Sequence, residues 1–268
     1  MVGLHKSPYH GFSAEFSQHR PYMQGDPLKN IDWNVWAKSD KYYIKQYEEE
    51  TNLLAHVVFD KSKSMDYKHT GAITKFEYGK ILAGSLIYIL QKQQDSVGLA
   101  LYADSLEKYF PPKTTSLYLK TLLAALENTS PAQKTDTSKC LNLVAEKVQK
   151  RGLVIIISDL FDSLDSVITA LKHFHYKKNE VIVFQILDPI EKSFAFDNEA
   201  VFKDLETKEE ITTQPYQIQA AYKSAVSDFI ESIKSECLNL KIDFNQITTD
   251  QSFDKALINF FNKRKRLH

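Results

Sequence analysis

The chain has 268 residues, of which 43% are hydrophobic and 25% charged, and this composition indicates a globular protein with a sizeable core. Its 34 basic and 34 acidic residues cancel, so net charge gives no general attraction to nucleic acid or to an anionic membrane. The two cysteines, Cys140 and Cys237, are too few and too far apart for a disulfide framework or a zinc site. We expect a buried free thiol at Cys140 and a reducing compartment.

The start of the chain carries no recognisable targeting signal. The opening residues, MVGLHKSPYHG, lack the apolar core of a signal peptide, and no run of about 18 apolar residues occurs in the sequence. We therefore expect a cytoplasmic protein without a membrane span. A membrane-bound partner could still hold such a protein peripherally at a membrane.

The first 50 residues differ in character from the rest. The segment RPYMQGDPLKNIDWNVWAKSDKYYIKQYEEE is rich in aromatic residues and in turn signals such as Gly25-Asp26-Pro27, and it has no long helical period. We predict an extended arm over residues 1–50, with a strand at KYYIKQYEE. This arm is expected to pack on a main domain of residues 51–268.

From residue 51 onward, apolar runs of strand length alternate with segments of helical periodicity. This alternation predicts an α/β fold with a mostly parallel sheet and helices on both faces. Pro111-Pro112 is predicted to break the chain after a short LEKYF piece. The predicted strands cover residues 51–60, 95–103, 152–158, 180–187 and 241–247, with two short strands within 200–213. The predicted helices cover residues 75–94, 116–128, 137–150, 163–176, 216–236 and 253–264, before a basic tail, KRKR, that is interpreted as solvated.

The first predicted strand ends in DKSKS, which places Asp60, Ser62 and Ser64 at alternate positions. Ligands of parallel α/β sheets bind beyond the carboxyl ends of the strands, and alternate residues of an extended segment point the same way. We expect these three side chains to converge while Lys61 and Lys63 face water. One carboxylate and two hydroxyls form an oxygen-only ligand set of the kind that Mg²⁺ or Mn²⁺ prefers.

Three ligands do not complete an octahedron, so a second acid is sought at another strand end. Asp159 stands where the strand GLVIIIS is predicted to stop, and a hydroxyl from the loop KTDTSKCL, either Thr135 or Thr137, would add another ligand. The alternative interpretation is local: DKSKS as a polar turn that caps the next helix, and Asp159 as a helix N-cap.

Two features of the sequence carry a family resemblance. DKSKS, a Thr loop and an apolar strand ending in Ser-Asp resemble the metal-ion-dependent adhesion site of von Willebrand factor A (VWA) domains, whose pattern is Asp-x-Ser-x-Ser, a Thr and an Asp. The arm resembles the signature of domain-of-unknown-function family fifty-eight, whose members are usually encoded beside MoxR-type AAA+ ATPases. Together the two features span roughly residues 10–190.

The resemblance implies a six-stranded, mostly parallel VWA-like sheet flanked by helices, and a binding function without catalysis. A metal ion, Mg²⁺ or Mn²⁺, would keep one coordination position open for a carboxylate of a partner protein. The partner implied is a MoxR-type AAA+ ATPase, with the chain as an adaptor or co-chaperone toward a client protein, and no nucleic acid is involved. The metal ligands implied are Asp60, Ser62, Ser64, Thr135 and, often through water, Asp159.

Two other functions are compatible with the same residues. Asp60 could be the nucleophile of a Mg²⁺-dependent phosphoryl hydrolase, but such enzymes want a second Asp two residues on, where this chain has Ser62. No glycine-rich phosphate loop follows any predicted strand. The other alternative is a structural interaction module with a vestigial metal site.

Overall fold

The computed structural model describes residues 14–49, 53–132, 136–196, 200–203, 210–255 and 257–258. Contacts within the chain divide it into two units, one of them N-terminal and the other beginning at Leu53. Each unit is described by itself. The packing of the predicted arm on the main domain stays a prediction.

The N-terminal unit is a hairpin that carries a short helix between its strands. Strand β1 (Ala14–Pro21) pairs antiparallel with β2 (Tyr43–Glu49), which confirms the strand predicted in KYYIKQYEE. Helix α1 (Trp33–Ser39) was not predicted, because seven residues are too few to display a long helical period. Its N-cap is Asp32, whose carboxylate accepts hydrogen bonds from the backbone of Asn34 and Val35.

The second unit alternates strands and helices as predicted. Its strands are β3 (Leu54–Asp60), β4 (Ser96–Tyr102), β5 (Leu106–Lys113), β6 (Leu153–Ser158), β7 (Glu180–Leu187), β8 (Ala200–Lys203), β9 (Glu210–Thr213) and β10 (Asp243–Thr248). Its helices are α2 (Lys75–Lys92), α3 (Ser116–Glu127), α4 (Thr137–Lys147), α5 (Leu164–Tyr176), α6 (Pro189–Ser193) and α7 (Pro215–Asn239). The last predicted helix is described as helical only at residues 253–255 and 257–258, and its remainder lies outside the described residues.

In the described part of the chain, six strands form one sheet in the order β10-β7-β6-β3-β4-β5. Every neighbouring pair is parallel except β4 and β5, which are antiparallel. Strands β8 and β9 form a separate antiparallel pair, which confirms the two short strands predicted within 200–213. The fold therefore confirms the predicted mostly parallel six-stranded sheet.

The two faces of the sheet are covered by different helices. Ala55, Val57 and Phe59 of β3 pack with buried residues of α2 and α3, whereas Val58 belongs to the cluster that includes α4, α5 and α7. All six residues of β6 are buried, as expected for a central parallel strand with helices on both sides. Cys140 and Cys237 are buried free thiols in the second cluster.

The prediction that Pro111-Pro112 would break the chain is wrong. Both prolines lie within β5, which continues to Lys113 at the edge of the sheet. An edge strand tolerates proline because one row of its backbone groups needs no partner, and the pairing with β4 is irregular between Val97 and Leu99. A Cβ atom on Gly98 would lie 2.5 Å from the Phe110 carbonyl oxygen, so glycine permits this close approach.

No helix in the described ranges combines the length and the apolar character that crossing a membrane requires.

Candidate functional site

The carboxyl ends of β3 and β6 meet where the chain changes direction across the sheet. From β3 the chain passes to β4 and β5 on one side, and it then crosses to β6 on the other side. In open α/β sheets, ligands bind outside the strand ends at such a switch point. Asp60 ends β3 and Asp159 directly follows β6, so the two predicted acids lie at this position.

The Asp60 carboxylate is fully buried and bonded to its own loop and to the neighbouring strand. One oxygen accepts a hydrogen bond of 2.8 Å from the Ser62 backbone N–H, and the other accepts one of 2.6 Å from the Ser158 hydroxyl. Burial, together with the negative charge of Asp159, raises the pKa of Asp60 to about 7. The two carboxyl groups therefore lie close enough at this edge of the sheet to interact electrostatically.

The two serine hydroxyls of DKSKS converge as predicted. Their Oγ atoms lie 2.9 Å apart, with Ser62 fully buried and Ser64 half-buried. The segment does not stay extended, because residues Lys63–Asp66 form a 3₁₀ turn. Its side chains do not cap the next helix either, since α2 begins with a capping box made by Thr74 and Glu77. The alternative interpretation of DKSKS as the cap of the next helix is therefore wrong, because Thr74 caps that helix.

The prediction that Lys61 and Lys63 would both face water is wrong for Lys61. Its backbone N–H bonds to the Tyr102 carbonyl at the end of β4, and its side chain is buried against the adjacent strand. The Lys61 ammonium lies 2.7 Å from the Glu107 carboxylate of β5. Lys63 is partly exposed and pairs with Asp66 of the same turn.

Asp159 is buried and held by a lysine that the sequence analysis did not single out. One carboxylate oxygen accepts a hydrogen bond of 2.8 Å from Lys75 Nζ, and the other accepts one of 3.2 Å from the Phe161 backbone N–H. Asp159 does not cap α5, whose N-cap is Ser163. The acid that the family pattern assigns to the metal is therefore paired with an ammonium group.

Lys75 also bonds to a third acid. Its Nζ lies 2.7 Å from a carboxylate oxygen of Glu191 on α6, and the side chain is 1% exposed. Burial alone lowers the pKa of Lys75, but Asp159 and Glu191 more than offset this effect and raise it above its usual value. The ammonium therefore stays charged inside the protein.

A sequence signal existed for Glu191 but not for Lys75. The segment Asp188-Pro-Ile-Glu191 follows an apolar strand and has the pattern of a capping box with proline in the first turn, which the structure contains. Such a box places its glutamate at the carboxyl edge of the sheet. Lys75 is merely the first residue of a long helix, and only tertiary packing brings it to this edge.

The loop hydroxyl is only partly defined. Thr135 lies outside the described residues, whereas Thr137 is buried in the first turn of α4. The flanks of the loop are attached near the site, because Ala132 N–H bonds to the Lys61 carbonyl at 2.7 Å and Asp136 N–H bonds to the Ala103 carbonyl at 3.1 Å. The choice between the two threonines stays open.

The residues present suit a hard cation. Asp60, Ser62 and Ser64 supply closely spaced oxygen atoms. Two further carboxylates, those of Asp159 and Glu191, pair with the Lys75 ammonium. In the described ranges, no group of three or more His, Cys, Asp or Glu side chains is placed to hold a metal ion. A cation here would therefore depend on the serine hydroxyls.

Residues 18–230 match the model of a family described as protein of unknown function DUF58. The chain belongs to the DUF58 family. It is also similar to the uncharacterized proteins Rv1480 of Mycobacterium tuberculosis and Mb1516 of Mycobacterium bovis. Each is 21% identical over 277 residues, which cover 98% of this chain and 84% of the relative.

Solved structures share the fold of this DUF58 protein. BatB from Bacteroides thetaiotaomicron and an aerotolerance-related membrane protein from Bacteroides fragilis each superpose with a TM-score of 0.53 at 18% identity, over 79% of this chain and 98% of theirs. The VWA domain of SpRpn10 gives a TM-score of 0.47 at 14% identity over 77% of this chain and 94% of its own. The sheet order and its flanking helices agree with the predicted VWA-like fold. At these identities the likeness to BatB and the aerotolerance-related protein concerns the fold alone.

Proposed function

We propose that this DUF58 protein is a non-enzymatic interaction module that binds a divalent cation at DKSKS and, through it, a carboxylate of a partner protein. The supporting observation is the convergence of Asp60, Ser62 and Ser64 at the sheet's switch point, beside a second acid, Asp159. Mg²⁺ and Mn²⁺ prefer such oxygen ligands. When bound, the ion would supply a positive charge with a position open to a carboxylate. Thr135 and Asp159 would complete the ligand set.

A Mg²⁺-dependent phosphoryl hydrolase is less well supported by the same geometry. A nucleophilic Asp60 needs a lone pair directed at its substrate. The hydrogen bonds from Ser62 and Ser158 leave each Asp60 oxygen a second lone pair, so they do not distinguish a nucleophile from a metal ligand. The position two residues on, where such enzymes need a general acid, is Ser62. We expect no hydrolysis of p-nitrophenyl phosphate by the native chain in Mg²⁺.

The partner we propose is a MoxR-type AAA+ ATPase, for which the chain would act as a cytoplasmic adaptor or co-chaperone toward a client protein. The family membership and the arm signature support this partner. An apolar contact for a docking loop is available beside the site, because the Phe161 ring is 38% exposed two residues after Asp159. Aromatic side chains are common anchors of protein interfaces.

The cation site is tested by unfolding the chain across a Mg²⁺ and a Mn²⁺ series. Wild type should gain roughly 2.7 kcal/mol at about 100 times the dissociation constant. Asp60→Asn and the double variant Ser62→Ala/Ser64→Ala should lose this gain, because each removes oxygen ligands. Asp66→Asn is the matched control, since Asp66 lies in the same turn but pairs outward with Lys63. Its gain should equal that of wild type.

Flat unfolding curves for wild type at millimolar metal would remove the cation from the mechanism. The partner is tested separately, by measuring binding of the MoxR-type ATPase with Mg²⁺ and with EDTA. Binding that EDTA and Asp60→Asn both abolish supports the metal-bridged mechanism. Binding that neither affects would favour a structural module with a vestigial metal site, and absence of binding would refute this partner.

A further inference from the structure

A protein-derived cation already pairs with Asp159, one of the proposed metal ligands. The Lys75 ammonium is enclosed by Asp159 at 2.8 Å and Glu191 at 2.7 Å, and the Lys75 side chain is 1% exposed. The Phe161 ring centroid lies 5.3 Å from Nζ and the Tyr67 ring centroid 5.8 Å, within the range of cation–π attraction. Two carboxylates and two rings thus surround this one charge.

This arrangement is specific to the first residue of α2. The capping box of Thr74 and Glu77 fixes where the helix begins, and the Lys75 backbone N–H bonds to the Tyr67 carbonyl at 3.1 Å. Other lysines of the helix behave differently: Lys80 is half-buried, and its ammonium bonds to the Glu127 backbone carbonyl. The local backbone therefore holds Lys75 at the carboxyl edge of the sheet.

Asp159 cannot serve two cations equally. A carboxylate next to an ammonium group has part of its charge neutralised, and a second positive charge close by is repelled by the first. Glu191 gives the ammonium a second partner when Asp159 turns to another ion. At Asp159 the Lys75 ammonium competes with a divalent ion for the carboxylate, whereas at Glu191 it does not.

We propose that Lys75 is an internal counterion that weakens and so regulates divalent-cation binding at the DKSKS site. The lysine neutralises Asp159 while no ion is bound, so that the site folds without metal, and an incoming ion must displace it from Asp159. This inference rests on the proposed function, because it concerns the same cation. It predicts that the native site binds the cation more weakly than a chain without the Lys75 ammonium does.

The test is the Mn²⁺ dissociation constant of the full chain, measured from the electron paramagnetic resonance signal of free Mn²⁺. The variants are Lys75→Met and Lys75→Met/Glu191→Gln, the second of which removes one of the two acids that Lys75→Met leaves unpaired. Lys80→Met is the matched control on the same helix. Asp60→Asn supplies the background from surface binding.

Both Lys75 variants should bind Mn²⁺ at least about tenfold more tightly than wild type, because a unit charge close to the ion is removed. Lys80→Met should bind as wild type does. An unchanged or weaker affinity in the Lys75 variants would overturn the proposal. If the variants unfold in EDTA, Mn²⁺ should restore their folding, and failure of this rescue would overturn the proposal as well.

The outcomes separate this inference from the proposed function. The wild-type curve alone reports whether the native chain binds the cation, and the ratio of variant to wild type reports the role of Lys75. Binding in the Lys75 variants but not in wild type would support the internal counterion and refute a metal-dependent native function. Equal binding in wild type and variants would refute the internal counterion and support a metal-dependent native function.

Discussion

His56 is a titratable group buried at the centre of the sheet, and it predicts a pH dependence of stability. It lies in β3 at 5% exposure, and its ring stacks with that of Tyr109 at a centroid distance of 6.2 Å and an interplanar angle of 15°. Burial lowers the pKa of His56 from 6.5 to about 4. Between these two values, His56 therefore binds fewer protons in the folded chain than in the unfolded chain.

The sign of the effect follows from this difference in bound protons. Because the unfolded state binds more protons at this position, the contribution of His56 to the free energy of unfolding falls as the pH falls from about 6.5 to about 4. A shift of this size corresponds to about 3 kcal/mol in total, of which roughly 2 kcal/mol is lost between pH 7.5 and pH 5. The loss levels off below the folded-state pKa of about 4. The raised pKa of Asp60 changes the stability of the whole chain in the opposite direction over the same range, so the His56 effect is measured as a difference between variants.

The assay compares urea unfolding at pH 7.5 and pH 5 for wild type and His56→Phe. The variant keeps an aromatic ring beside Tyr109 but cannot bind a proton. Its change in the free energy of unfolding on acidification should therefore be about 2 kcal/mol more favourable to the folded state than the change in wild type. Tyr109→Phe is the control and should show the wild-type change, because burial rather than the tyrosine hydroxyl lowers the pKa of His56. Equal changes in wild type and His56→Phe would refute the reasoning.

Two further predictions concern groups away from the proposed cation. Asp188→Asn should lower the free energy of unfolding in urea by about 2 kcal/mol, because the carboxylate accepts hydrogen bonds from the backbone N–H groups of His69 at 2.9 Å and Gly71 at 3.1 Å. An unchanged urea midpoint in Asp188→Asn would show that these hydrogen bonds do not contribute to stability. Cys140 and Cys237 should not react with Ellman's reagent at pH 8 until urea unfolds the chain, since burial raises the pKa of both thiols to about 12. Rapid labelling of the native chain would contradict this burial.

The parts of the fold that follow local patterns could be predicted from the sequence. An apolar run that ends in an acid identified Asp60 at the end of β3, and the continuous apolar run of β6 identified Asp159 beyond its end. Parallel pairing places the carboxyl ends of all these strands at one edge, and the strand order then makes β3 and β6 neighbours. The predicted grouping of Asp60, Ser62 and Ser64 depended only on these local signals.

The charge partners of the site could not be predicted in the same way. Lys75 and Asp159 are 84 positions apart, and Lys75 and Glu191 are 116 apart, so only the packing of α2 and α6 at the sheet edge brings them together. The alternation with Asp60 predicted that Lys61 faces water. Instead its ammonium pairs with Glu107 on the edge strand β5, and this partner accompanies its burial. Ion pairs of this kind depend on tertiary packing and cannot be predicted from residue periodicity.

The segment that connects β3 to α2 is held in place by bonds that need no metal. Asp60 accepts from the Ser62 backbone at its start, Asp188 accepts from the backbone of residues 69–71 in its middle, and Thr74 caps α2 at its end. Its position is therefore determined before any cation arrives. A preorganised site loses little conformational entropy on binding, so the affinity for a cation depends mainly on charge. For this reason we expect the Lys75 ammonium to set the affinity of the proposed DKSKS site for a divalent ion.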